Sequence, residues 1–174
     1  AESCEYCNSF LSFFPTVAVI LNIEADHLDF FKDLHDVERS FRCFAELVPA
    51  GGHVVANWDD AGVRETLAGY RGSLFTFSER DKTAHCHAEN IVFTNGLPSF
   101  DVVCMGKKYA HVELSVGGEH NVMNALAAAS AAYVLGIRGE AVERGLITFT
   151  GAGRRFEKKG SYHGAEVYDD YAHH

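Results

Sequence analysis

Residues 16–21 (TVAVIL) form an unbroken, β-branched apolar run, the pattern of a strand buried on both faces of a helix-covered parallel sheet. The polar, acidic stretch 22–29 follows it and falls at the carboxyl end of that strand, the edge where open α/β sheets bind ligands. Over 33–48, Leu34, Val37, Phe41, Phe44, Ala45 and Val48 recur at helical spacing, and 49–52 (PAGG) stops the helix. A short strand is expected at 53–56, then a helix capped by Asp59 or Asp60 and running to about residue 68, then a strand at 73–77. This strand–helix alternation predicts an α/β fold with a mostly parallel, doubly wound sheet.

The texture then changes. Three strand-like runs, 85–94, 99–105 and 109–116, are separated by Asn95-Gly96 and Gly106-Lys107, which predicts a small three-stranded antiparallel meander over about 85–116. A helix over about 121–135 follows, nearly all Ala at 125–132 and stopped by Gly136 at its C′ position. A second helix is expected at 140–146, a glycine-lined loop at 151–156 and a last strand at 165–168.

Composition narrows the class. With 174 residues, 47% apolar and 22% charged, the chain fits one soluble domain. A net charge of −9 argues against a nucleic-acid surface. No apolar run reaches membrane-spanning length and the first residues lack a basic segment, so a membrane span and a secretory leader are not expected and a cytoplasmic protein is. The chain starts without Met and stops without a terminal element, so it reads as a piece of something longer, and nothing in the pattern specifies an oligomer. Five cysteines, an odd number without a framework, suggest a reducing compartment. Cys4 and Cys7 form a C-x-x-C with no second pair at zinc spacing, and read best as small buried side chains.

Four clusters carry candidate chemistry. Glu2, Glu5, Glu24, Asp26, His27 and Asp29 combine carboxylates with an imidazole around one strand end, a donor set suited to a divalent cation or, equally, to an acidic surface loop. His120-Asn121-x-x-Asn124 opens the Ala-rich helix, with both Asn on one face. Asn amides donate and accept, which suits an adenine edge, while helix capping by Asn121 is the simpler alternative. Arg154 and Arg155 sit in the glycine-lined loop, where they suit phosphate or simply solvent. Residues 169–174 (DDYAHH) put acid and imidazole at another strand end.

The segments ESCEYCNSFL (2–11), LNIEADHLDF (21–30), GEHNVMNALA (118–127), GAGRRF (151–156) and DDYAHH (169–174) resemble, in order and over nearly the whole chain, the Mur ligase family of ATP-dependent acid–amino-acid ligases, and its alanine-adding branch most. The resemblance implies that residues 1–168 are a central ATP-binding domain without its first strand and phosphate loop, and that 169–174 begin the linker to a carboxyl-terminal domain. It implies an acyl-phosphate mechanism in peptidoglycan precursor synthesis, with ATP and Mg2+ as cofactors and UDP-N-acetylmuramate and L-alanine as partners bound with further domains. Carried over by motif, Glu2 is a Mg2+ ligand, His27 ligates a second Mg2+, and Asn22 lines the same site, with Glu5 in support. His120, Asn121 and Asn124 hold adenine. Arg155 and Arg154 contact phosphate or the UDP-sugar. Asp170 touches ribose or acts at a hinge, and His173 and His174 start the linker. No G-x-x-G-K-[ST] phosphate loop occurs in these 174 residues, so the chain by itself is expected to be inactive. The competing expectations are another branch, such as the murein-peptide recycling ligase, an inactive paralogue, or a non-catalytic nucleotide- or metal-binding module using Cys4, Cys7, His85, Cys86 and His87.

Overall fold

The computed structural model describes residues 3–171; Glu2, His173 and His174 lie outside the described residues. A 3-10 segment, Tyr6–Ser12, leads into β1 (Val17–Ile20), α1 (Leu34–Glu46), β2 (His53–Asn57), α2 (Ala61–Thr66) and β3 (Leu74–Ser78). Then come β4 (Cys86–Thr94), β5 (Leu97–Cys104), β6 (Lys107–Glu113), α3 (Glu119–Val134), α4 (Gly139–Ile147), β7 (Glu157–Tyr162) and β8 (Ala165–Asp169). The first six strands form one sheet in sequence order. The pairs from β1 to β4 are parallel, and β4–β5 and β5–β6 are antiparallel. The fold is therefore the expected mostly parallel α/β sheet, and the meander is its continuation, because Phe77 and Ser78 of β3 pair with Cys86 and His87 of β4.

Alternating burial explains the two layers. Ala18, Ile20, Val54 and Ala56 pack with Phe10, Val37, Phe44 and Val63 on the side of α1 and α2. Val55, Phe75, Phe77, Phe100 and Val102 pack with Val122, Leu126 and Ala129 of α3 on the other. Each fully buried large side chain contributes roughly 1.5–3 kcal/mol. Ala125 and Ala129, one turn apart on α3, are buried in the same cluster as Val122 and Leu126, small enough for the helix to lie close against the sheet.

Local signals set the ends. Asp33 caps α1 by accepting the N–H of Asp36 at 2.9 Å, and Asp60 caps α2 by accepting that of Val63 at 2.8 Å. Gly136, with φ of 72°, closes α3 as a Schellman turn, its N–H on Tyr133 O and that of Ile137 on Ala132 O, both at 3.0 Å. The tight turn expected at Gly106-Lys107 falls one residue earlier, on Met105-Gly106, where both φ are positive as at Asn95-Gly96.

Several expectations are corrected. Leu34, assigned to the apolar stripe of α1, is 38% exposed, because the helix begins there and its inward face starts at Val37. β7 has no apolar alternation and pairs with β8 in a separate two-stranded sheet. Cys4 and Cys7 are exposed thiols rather than buried fillers. Cys86 and Cys104, which face each other in the β4–β5 register and are buried, form a disulfide that the cysteine count alone did not suggest. Among the described residues no helix is long and apolar enough to cross a membrane.

Candidate functional site

Because β1, β2 and β3 run in parallel, their carboxyl ends share one edge of the sheet. The edge is fastened internally: the Asn57 amide at the end of β2 donates to Leu21 O beyond β1 at 2.9 Å. Buried Ile23 and Phe31 then fix both ends of the acidic loop between β1 and α1. Within it, Asp26 Oδ1 accepts the His27 N–H at 2.7 Å, and His27 O accepts the N–H groups of Phe30 and Phe31 at 2.8 and 2.9 Å. His27 holds φ at 52°, a left-handed backbone that costs a non-glycine residue of order 1 kcal/mol or more.

The 3-10 segment brings the second half of the site. Phe10 is buried, stacked 4.7 Å from Phe44 and edge-on to Phe41 at 5.1 Å, and Ser40 hydrogen-bonds Asn8. That anchor sets Glu5, at the head of the segment, with Oε1 3.6 Å from His27 Nε2. Glu5, Asp26 and His27 each offer a ligand atom, all within 4.8 Å of one another. Two carboxylates and an imidazole, half open to solvent, fit a hexacoordinate Mg2+ that keeps waters or phosphate oxygens on its remaining positions. Tyr6 lines the same cluster: its ring lies 4.8 Å from the His27 ring and its hydroxyl donates to Asp29 Oδ2 at 3.0 Å. That hydrogen bond holds the Tyr6 phenol above its ordinary pKa.

The structure thus redistributes the first cluster. His27 is central, and Glu5, given only a supporting part by sequence, is its direct neighbour together with Asp26. Asn22 is exposed and donates its amide to Glu24 at 3.5 Å.

At the same sheet edge, Asp59 follows β2 and accepts from Ser78 Oγ and Glu79 N at 2.6 and 2.7 Å. Burial first, and then the charge of Asp59, raise the Glu79 pKa, with Arg80 opposing and Glu119 in the first turn of α3 adding to the rise. There His120 lies over Gly118, whose added Cβ would stand 2.6 Å from the imidazole. Asn121 does not cap the helix. Gly118 is the N-cap, and the Asn121 amide donates backwards to Gly117 O at 2.7 Å. Asn124 donates to Asn121 Oδ1 at 3.2 Å, so the two amides form one oriented row on an exposed face.

The two arginines separate. The Arg154 guanidinium stacks 4.6 Å over the Tyr171 ring, and the Arg154 backbone N–H donates to Glu157 Oε2 at 2.9 Å. Arg155 is exposed, its backbone N–H on Ala152 O at 3.2 Å. Asp170 accepts the Phe156 N–H, so here it ties the loop to the chain after β8.

Residues 6–132 match the Mur ligase middle domain family. A UDP-N-acetylmuramate–L-alanine ligase of Caldicellulosiruptor saccharolyticus is 46% identical over 174 residues, 99% of this chain but 38% of that relative. The UDP-N-acetylmuramate–alanine ligase structure from Thermotoga maritima superposes with a TM-score of 0.77 at 28% identity, over 96% of this chain and 37% of that one. A murein peptide ligase from Psychrobacter arcticus superposes with a TM-score of 0.72 at 30% identity, over 95% of this chain and 34% of that one. The chain therefore spans little more than a third of the length of these relatives, and by sequence and fold alike it belongs to the Mur ligase middle-domain family.

Proposed function

We propose that this chain is the central, ATP-handling part of a cytoplasmic ligase that joins L-alanine to UDP-N-acetylmuramate in peptidoglycan precursor synthesis. The observation that carries the reading is the convergence of Glu5, Asp26 and His27 at the carboxyl end of β1, in a chain 46% identical over 99% of its length to a UDP-N-acetylmuramate–L-alanine ligase. Glu5, Asp26 and His27 would hold Mg2+, with Glu2 contributing from the preceding residues. The bound cation supplies charge neutralisation for phosphoryl transfer to a carboxylate. His120 and the row Asn121–Asn124 present donors and acceptors to an adenine edge. Arg155, whose partner Arg154 is stacked on Tyr171, is the guanidinium that reaches phosphate. Asn22, hydrogen-bonded to Glu24, lines the same strand end.

The test uses the full-length parent enzyme. Phosphate release from ATP should require both UDP-N-acetylmuramate and L-alanine, and should collapse in His27→Ala. Release without L-alanine dependence defeats the proposal. The second reading is favoured by the murein peptide ligase fold match. It predicts that an L-alanyl-γ-D-glutamyl-meso-diaminopimelate peptide, the acceptor in the name of a related ligase from Neisseria, replaces L-alanine. The higher identity to the alanine ligases favours the first.

A further inference from the structure

We propose that Tyr6 is a positioning residue that holds the His27 imidazole facing Glu5, so that the pair forms a preformed seat for a divalent cation. The inference rests on the reading above that Glu5, Asp26 and His27 take such a cation.

Backbone contacts fix where His27 stands but not where its ring points. Its N–H is on Asp26 and its carbonyl accepts from Phe30 and Phe31, yet its side chain is 32% exposed and has room to turn. Glu5 touches one ring nitrogen and Tyr6 covers the ring at 4.8 Å, inclined by 41°. Tyr6 is itself held from two directions. Its hydroxyl donates to Asp29 at 3.0 Å, and its ring meets Phe30 edge-on at 6.1 Å. One side chain therefore grips three residues of the loop after β1, while the residue before it, Glu5, supplies the facing carboxylate.

Core packing does not account for this arrangement. Tyr6 is 39% exposed, and its two ring contacts and the bond from its hydroxyl to Asp29 run to the loop that carries His27. Residues that orient a metal ligand through packing or hydrogen bonds typically change metal affinity about 10- to 100-fold when removed. Tyr6 has both devices, and each can be removed separately. Tyr6→Phe deletes the tether to Asp29 and keeps the ring on His27; Tyr6→Ala deletes both.

The experiment compares full-length wild-type enzyme with Tyr6→Phe, Tyr6→Ala and His27→Ala. The first readout is the metal-free protein carrying 13C-labelled histidine. The His27 Cε1–H resonance, assigned by its loss in His27→Ala, should be displaced by the Tyr6 ring current, remain so in Tyr6→Phe, and move to the position of a free imidazole in Tyr6→Ala. The second is Mn2+ affinity by electron paramagnetic resonance. It should weaken about two- to tenfold in Tyr6→Phe and about 10- to 100-fold in Tyr6→Ala. Mn2+ affinity lost in His27→Ala but unchanged in both Tyr6 variants overturns this inference alone. Affinity unchanged in His27→Ala overturns the cation reading itself, and this inference with it. Should Tyr6→Ala fail to fold, the Tyr6→Phe affinity decides: no change overturns the proposal.

Discussion

The Asp170 carboxylate accepts the backbone N–H of Phe156 at 2.8 Å, so the acidic residue after β8 closes the loop that carries Arg154 and Arg155. The Tyr171 N–H on Arg154 O, also at 2.8 Å, makes the link double. Asp170→Ala should cost about 1 kcal/mol locally and expose the Phe156 amide to hydrogen exchange. Asp170→Asn, which keeps an acceptor, should protect that amide better than Ala does. Equal protection in wild type and Asp170→Ala would show that the link does not hold the loop.

Gly139 opens α4 so close to β6 that an added Cβ would stand 1.8 Å from Tyr109 O, whereas one at Gly145 in the same helix meets nothing within 4 Å. Gly139→Ala should therefore destabilise by about 1–3 kcal/mol through overpacking against backbone. Gly145→Ala should be neutral or stabilise by up to about 1 kcal/mol, because alanine favours the helix. Urea unfolding of the two variants checks the pair; a Gly139→Ala midpoint at or above wild type would contradict the contact.

Asp101 on β5 is held well below the usual carboxylate range by Lys108 first, then His111 and Asn90, at 2.7, 2.7 and 3.0 Å. A depressed folded-state pKa means that ionised Asp101 favours folding. Its contribution is complete above its unfolded value, about 3.9, and is lost as pH falls from there toward the lower folded value. The stability gap between wild type and Asp101→Asn should shrink as pH falls from about 4 to about 2. Denaturant unfolding across that range measures it, and a gap that widens on acidification would contradict a depressed pKa.

Asn124 donates to Asn121, which in turn donates to Gly117, so the second amide depends on the first for its orientation. In the full-length parent enzyme, each single Ala substitution should weaken ATP binding by about 1–3 kcal/mol. The double variant should lose less than the sum, because removing Asn121 already releases Asn124. Calorimetric titration of the four proteins checks this, and strict additivity would separate the two residues.

What sequence made legible was decided by the range of the signal. Buried strands such as β1 and β2, and caps such as Asp60, are local and continuous, and were readable to within a residue or two. The 3-10 segment was not, because its shape depends on left-handed Cys7 and Asn8 and on Phe10 reaching α1. For the same reason Glu5 read only as a supporting residue: only the fold turns it toward His27. Capping by Asn121 stood as the simpler alternative because Asn near a helix start commonly caps, and only the helix beginning at Glu119 removes it. The Cys86–Cys104 pair depends on strand register across a hairpin, which spacing alone does not specify.

His27 has consequences for how the protein tolerates change. A position with φ of 52° suits glycine or asparagine better than histidine. His27→Gly should thus relax the loop and leave the protein as stable as before, or more so, while removing the imidazole that faces Glu5. Selection for stability alone would erode this residue. The chain bears a backbone cost at His27 that glycine would not bear there.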